Sequence, residues 1–110
     1  QFREWVAAQR QPSDEPGGAE AVRGQAVFLR SRCAECHTVR GTPAAGDDGP
    51  DLTHVASRRT LAAATLRNTA EHLARWLRNP DAVKDGSGMP PAMLTDEDLE
   101  AVVAYLRGLE

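Results

Sequence analysis

The chain has 110 residues, enough for one domain with a modest core. Aromatic residues make up only 5%, a thin supply of apolar bulk that a bound apolar cofactor would supplement. A net charge of −3 with both signs interspersed excludes the basic stripe of a nucleic-acid binder, and no apolar run approaches the roughly 20 residues of a membrane-spanning helix.

Residues 1–10 are short and amphipathic. Phe2, Trp5 and Val6 stand at i, i+3 and i+4, a helical stripe that also suits an ordinary terminal turn. The chain starts at Gln1 with neither an initiator Met nor a signal peptide, so a processed or excised piece is expected. Residues 11–18 carry two prolines, two glycines and two acids, the composition of a linker. A boundary there divides the chain into 1–18 and 19–110.

Residues 19–32 predict the first full helix, running straight into a cysteine pair. Val22, Ala26 and Leu29 form one stripe, and Gly24 and Phe28 another. Glycine in a helix interior costs about 1 kcal/mol against alanine. Close approach by a second helix is one reason to accept that cost; a tolerated surface glycine is the plainer one.

Cys33-Ala34-Glu35-Cys36-His37 then matches the attachment pentapeptide of c-type haem. Two residues between the cysteines let one helical turn set both thiols along one porphyrin edge, where each can form a thioether bond to a vinyl group. His37 is then placed to offer an axial nitrogen. A structural zinc site needs more cysteine or histidine at ligand spacing, and His54 and His72 do not form such a pair. A thioredoxin-like redox pair needs a strand–helix context that is missing, and a disulfide closing so small a loop would add little stability. Haem of this type is attached outside the cytoplasm, which predicts an extracytoplasmic location.

Residues 38–50 are rich in glycine and proline and predict a loop. Asp47-Asp48 lacks the regular spacing of a calcium loop and suits a solvated turn. Residues 55–64 are alanine-rich and predict a helix, with Arg58 and Arg59 exposed or near a buried anion. Asn68-Thr69-Ala70-Glu71 predicts a capping box that starts a helix to about Asn79, with Leu73, Trp76 and Leu77 on its apolar face. Asn79-Pro80 ends that helix, and residues 80–84 add a turn with proline at its first position. Residues 85–91 predict an irregular loop. Thr95 with Asp98 forms a second capping signal, and Leu99, Val102, Val103 and Leu106 repeat at helical spacing to about Gly108. No strand pattern stands out. The predicted fold is all-α, four or five short helices around one haem.

Candidates for the second axial ligand are Met89, Met93, His54 and His72, or the position stays open. Met89 is favoured, because Gly88-Met89-Pro90 sits in a loop and the following proline stiffens the backbone that presents the sulfur. A lone methionine otherwise serves as core filling. His72 is expected to face water, and His54 sits in a loop. A His/Met pair raises the reduction potential and leaves no open coordination site, which suits electron transfer.

From about Ala19 to Glu110 this ordered set resembles class I cytochrome c. In that family the counterparts of Gly24 and Phe28 cross the C-terminal helix, which here implies contacts with Val102 and Tyr105. Gly49-Pro50-Asp51-Leu52 resembles the family's Gly-Pro-Asn-Leu and implies that the Pro50 carbonyl accepts the second N–H of His37. Trp76-Leu77-Arg78-Asn79-Pro80 resembles the helix that packs beside the methionine ligand. The resemblance places Met89 at the ligand position and makes Arg58 and Arg59 partners of the haem propionates. The implied cofactor-binding set is therefore Cys33, Cys36, His37, Pro50, Arg59, Trp76 and Met89, with His37 and Met89 on the iron.

A finer resemblance is to subunit II of caa-type haem-copper oxidases, in which a membrane-anchored copper domain is followed by a fused cytochrome c. It is carried by Gln1-Phe2-Arg3-Glu4-Trp5-Val6, the linker, and the run from Gly49 to Arg59. It implies that residues 1–18 are the tail of the copper A domain plus linker. It further implies electron transfer from a quinol-oxidising complex or a small soluble donor protein to copper A, in an otherwise monomeric domain held at the membrane only through its parent. Free cytochromes that dock on oxidases often carry a lysine ring, whereas this chain has one lysine, Lys84. A tethered donor needs less electrostatic steering. The alternatives are a free-standing periplasmic cytochrome c, a haem enzyme or gas sensor with an open axial position, and a structural or zinc-holding module.

Overall fold

The computed structural model describes residues 16–62, 65–84 and 86–110. The stripe of Phe2, Trp5 and Val6 and most of the linker lie outside the described residues. Helix α1 spans Ala19–Arg30, α2 Cys33–Cys36, α3 Ala70–Arg78, α4 Pro80–Val83 and α5 Asp96–Arg107. A 3-10 turn at Val55–Ser57 and a short antiparallel pair, β1 (Thr60–Leu61) and β2 (Leu66–Arg67), lie between α2 and α3. The expected helical fold is present, with one small sheet added.

The frame is α1 against α5. Gly24 sits at the seam, where an added Cβ would fall onto the Ala101 carbonyl and lie 2.8 Å from Tyr105 Cβ. One turn on, the Phe28 and Tyr105 rings pack with centroids 5.6 Å apart at 59°. The closest approach is thus to Ala101 and Tyr105, one residue earlier than the Val102 contact implied for Gly24; Val102 is fully buried in the core beside them. The buried residues of α1 are Ala21, Gly24, Val27 and Phe28. The alternative stripe fails: Val22 is 51% exposed and Ala26 faces solvent, because the glycine seam fixes the rotation of the helix. In α5 the expected face of Leu99, Val102, Val103 and Leu106 is buried, together with Ala101 and Tyr105. Arg23 bridges the two helices to Asp98 at 2.7 Å.

Local chemistry explains where the elements stop. α1 ends at Ser31, whose backbone turns extended while its N–H bonds Val27 O, so α1 and α2 are separate helices rather than one run to the cysteines. The Thr95 side chain accepts from Asp98 N–H, the cap expected for α5. For α3 the cap is Thr69, accepting from His72 N–H, one residue later than the expected Asn68 box. Asn68 is engaged elsewhere: its side-chain amide donates to Val55 O at 2.9 Å and Arg58 O at 2.8 Å.

Those bonds also overturn the helix expected over 55–64. Among the described residues of that run only Val55–Ser57 makes a helical turn, and Arg58 is already extended. With the Val55 and Arg58 carbonyls taken by Asn68, the chain leaves the helix and pairs as β1 with β2, burying Leu61. The C-terminus closes on this turn, since Ala56 N–H bonds Leu109 O at 2.8 Å and Ser57 Oγ bonds Glu110 O at 3.1 Å. No described helix is long and apolar enough to cross a membrane.

Candidate haem-binding site

The site begins at α2. Its single turn places Cys33 and Cys36 as free, half-buried thiols, and the His37 N–H closes the turn onto Cys33 O. Both thiols are unbridged here and so available to a ligand. Among the described residues no cluster of three or more His, Cys, Asp or Glu side chains is arranged to hold a metal ion, so the zinc-site reading gains no support.

His37 is 9% exposed, and its Nδ1 lies 2.8 Å from Pro50 O. A carbonyl can only accept, so Nδ1 carries the proton and Nε2 keeps its lone pair for a Lewis acid. Gly49 lies against the His37 ring. A Cβ there would come within 2.5 Å of His37 Cε1 and 2.8 Å of Nδ1, so only glycine lets the loop lie against the imidazole. The backbone continues the lacing: Gly49 N–H donates to Cys36 O at 2.7 Å and Leu52 N–H to Thr38 O at 2.8 Å.

Sequence reasoning missed the outer layer of this loop. The Asp51 carboxylate accepts from Thr53 N–H at 2.9 Å and from the Thr53 hydroxyl at 2.5 Å. Thr53 Oγ1 accepts from Arg40 N–H at 2.8 Å, and the Arg40 guanidinium lies 3.4 Å from Asp51. Partial burial alone would push the Asp51 carboxyl up, but the Thr53 hydrogen bonds and the Arg40 and Arg58 charges outweigh it and hold it below the ordinary carboxylate range. The spacing Asp51-Leu52-Thr53 is an Asx-turn signal that was present in the sequence.

The other expected residues come from separate segments. Cys33, Leu52, Trp76 and Met89 all pack, partly buried, against the one apolar core. Met89 follows Gly88, whose φ of +76° turns the chain in a way open chiefly to glycine. Met93 is 91% exposed. His54 is tied to the C-terminus through Glu110 O at 2.8 Å, and His72 is half-buried with its ring on Arg67 O at 3.0 Å. Arg59 stays exposed, and the Arg58 guanidinium donates to Asp51 O. The donor set therefore fits a haem c: two free thiols on one turn, an imidazole held in the ligating tautomer, and a glycine that lets the Pro50 loop pack against the ring.

The cytochrome c family matches residues 21–110. The chain belongs to the cytochrome c family. It is 38% identical to cytochrome c oxidase subunit 2 of Alkalihalophilus pseudofirmus and 33% identical to cytochrome c oxidase subunit 2 of Bacillus sp. strain PS3. Each comparison takes in all of this chain and 32% of the relative, so the chain spans about a third of the curated relatives it matches. Among solved structures the c-type cytochrome SorU from Sinorhizobium meliloti superposes with a TM-score of 0.56 at 27% identity, covering 80% of this chain and 87% of that one. Membership in the family implies haem c as the cofactor and electron transfer as the role of the cytochrome c domain.

Proposed function

We propose that this cytochrome c domain is the electron-entry module of a cytochrome c oxidase subunit 2, holding one haem through Cys33 and Cys36 with His37 and Met89 as axial ligands. The observation that carries the reading is the His37–Pro50 hydrogen bond beside two free thiols, which commits Nδ1 and leaves Nε2 as the donor. When bound, haem c supplies a one-electron couple.

The residues of the chain set the conditions for that couple. Cys33 and Cys36 would hold the group to α2 through their thiols. His37 is kept in one tautomer by Pro50, which also raises the basicity of Nε2. The half-burial of Met89 against the core supports it over Met93, since a ligand sulfur has to reach inward from its loop. Met89 would supply a thioether that, together with the His37 imidazole, would favour the reduced state and leave small molecules no place to bind. Trp76 lines the apolar side, and Arg59 serves the propionates. No bond chemistry belongs to this domain, although the oxidase as a whole is an enzyme.

Residues 1–18 form the tail of the copper A domain and its linker, and 19–110 the cytochrome c domain. The relatives named as oxidase subunit 2 support this division, because the match takes in the whole chain including that tail. Electrons enter from a quinol-oxidising complex or a small soluble donor protein and leave to copper A of the same subunit. The parent is anchored in the membrane with this domain on the periplasmic or extracytoplasmic face.

The test is the intact mass and visible spectrum of protein expressed with haem-attachment machinery. The expected result is a mass raised by one haem, a low-spin reduced spectrum, and in the oxidised form the red-end band of methionine ligation. A high-spin spectrum that binds carbon monoxide in the wild type favours an open-position enzyme or sensor instead. Colourless protein overturns the reading outright.

A further inference from the structure

The Pro50 carbonyl lies in the Pro50–Asp51 peptide, whose N–H is that of Asp51, so its direction depends on how Asp51 is held. The plane of the Pro50–Asp51 peptide, and with it the carbonyl that faces His37, is held from the Asp51 side. The Asp51 carboxylate grips both the N–H and the hydroxyl of Thr53. Thr53 is 1% exposed and is itself fixed by Arg40 N–H at 2.8 Å. The Asp51 carbonyl is taken by the Arg58 guanidinium. The hydrogen bonds of this anchor run among Arg40, Asp51, Thr53 and Arg58, while the bond to His37 is made by the Pro50 carbonyl.

We propose that Asp51 is a positioning residue for His37: by gripping buried Thr53 it fixes the Pro50 carbonyl in line with His37 Nδ1. It thereby sets the strength of that hydrogen bond and the donor power of Nε2. The proposal rests on the reading that His37 Nε2 binds the haem iron. A stronger Nδ1–H···O bond makes Nε2 more basic and favours the more positive metal. Loosening the anchor therefore shifts the couple toward the reduced form.

Charge and position are separable here. Asp51→Ala removes the anchor and a negative charge together, and the lost charge alone also favours the reduced form. Thr53→Val removes only the hydroxyl and leaves every charge in place; Thr53→Ser keeps the hydroxyl. Thr95→Ala removes the side-chain cap of α5, which shares no hydrogen bond with the anchor, and serves as the stability control.

The experiment measures, on the haem-loaded protein, the reduced-to-oxidised ratio at a fixed redox poise and the solvent exchange of the His37 Nδ1 proton by NMR. For Thr53→Val and Asp51→Ala the ratio is expected to rise roughly three- to tenfold, where tenfold equals 59 mV for one electron. Nδ1 proton exchange is expected to quicken in both. Thr53→Ser stays near wild type, and Thr95→Ala melts lower with neither change. Thr53→Val that melts lower yet keeps the wild-type ratio and exchange overturns the proposal. So does a shift confined to Asp51→Ala, which would make the effect one of charge alone. Failure of the underlying reading is seen separately, as a wild-type spectrum without histidine ligation.

Discussion

Gly24 and Ala101 are in backbone contact: an added methyl at Gly24 would coincide with the Ala101 carbonyl. The obstacle is backbone on a helix whose own buried face is fully engaged, so neither side can give way cheaply. Gly24→Ala tests this because two effects oppose. Helix propensity alone predicts a gain of about 1 kcal/mol. Overpacking in a tight core costs about 1–3 kcal/mol and occasionally more. The expected outcome is a net loss toward the upper end of that range, or failure to fold, measured by denaturant unfolding of the haem-loaded protein. Unchanged or increased stability would show that α1 and α5 can separate without penalty.

The same seam explains what was legible in the sequence and what was not. Periodicity found the buried face of α5 and the capping of its first turn, since both signals are local. It offered two stripes for α1 and could not rank them, because the choice depends on a partner helix some 75 residues away, as in the Arg23–Asp98 bridge. The pentapeptide was legible because its spacing is itself the chemistry, and Gly49-Pro50 because the run to Leu52 resembles a family motif. The hairpin was not. Alanine-rich sequence from residue 55 looks helical until the Asn68 side chain, 13 residues beyond Val55, occupies its carbonyl. The shift of the α3 cap from Asn68 to Thr69 has the same cause.

Asn68 is therefore expected to matter more than a loop residue usually does. Asn68→Ala removes two side-chain hydrogen bonds, each contributing about 1 kcal/mol, for an expected loss of about 2 kcal/mol. Asn68→Asp has nearly the same shape but no donor, so it should lose at least as much. Denaturant midpoints of the two variants check this. Full stability in the aspartate variant would mean that the turn at Val55–Ser57 holds without the amide.

The two methionines differ enough in environment to give opposite results. Met93→Ala truncates a side chain that is 91% exposed and should leave stability within about 0.5 kcal/mol and the visible spectrum unchanged. Met89→Ala should leave the haem attached but abolish the methionine band, lower the reduction potential and admit carbon monoxide. Spectra of both variants with and without carbon monoxide make the comparison. An unchanged Met89→Ala spectrum would remove Met89 from the iron.

Asp51 gives the domain an acid-side dependence whose sign follows from its environment. The Thr53 hydrogen bonds and the nearby guanidinium groups of Arg40 and Arg58 overcome the effect of burial and hold its carboxyl below the ordinary value. An unfolded chain restores that value, about 3.9. Below it the unfolded state binds the proton more readily than the folded one, so the stabilisation is complete above about pH 5, falls as pH drops through the unfolded value, and is gone below the folded one. Solvent reaches this carboxylate, so screening keeps the effect modest. Unfolding midpoints of wild type and Asp51→Asn should therefore differ by a constant amount at neutral pH, and the difference should shrink in the window below about pH 4. A difference that does not change with pH would show that the asparagine amide loses shape or hydrogen bonding but that ionisation of Asp51 contributes nothing to the fold.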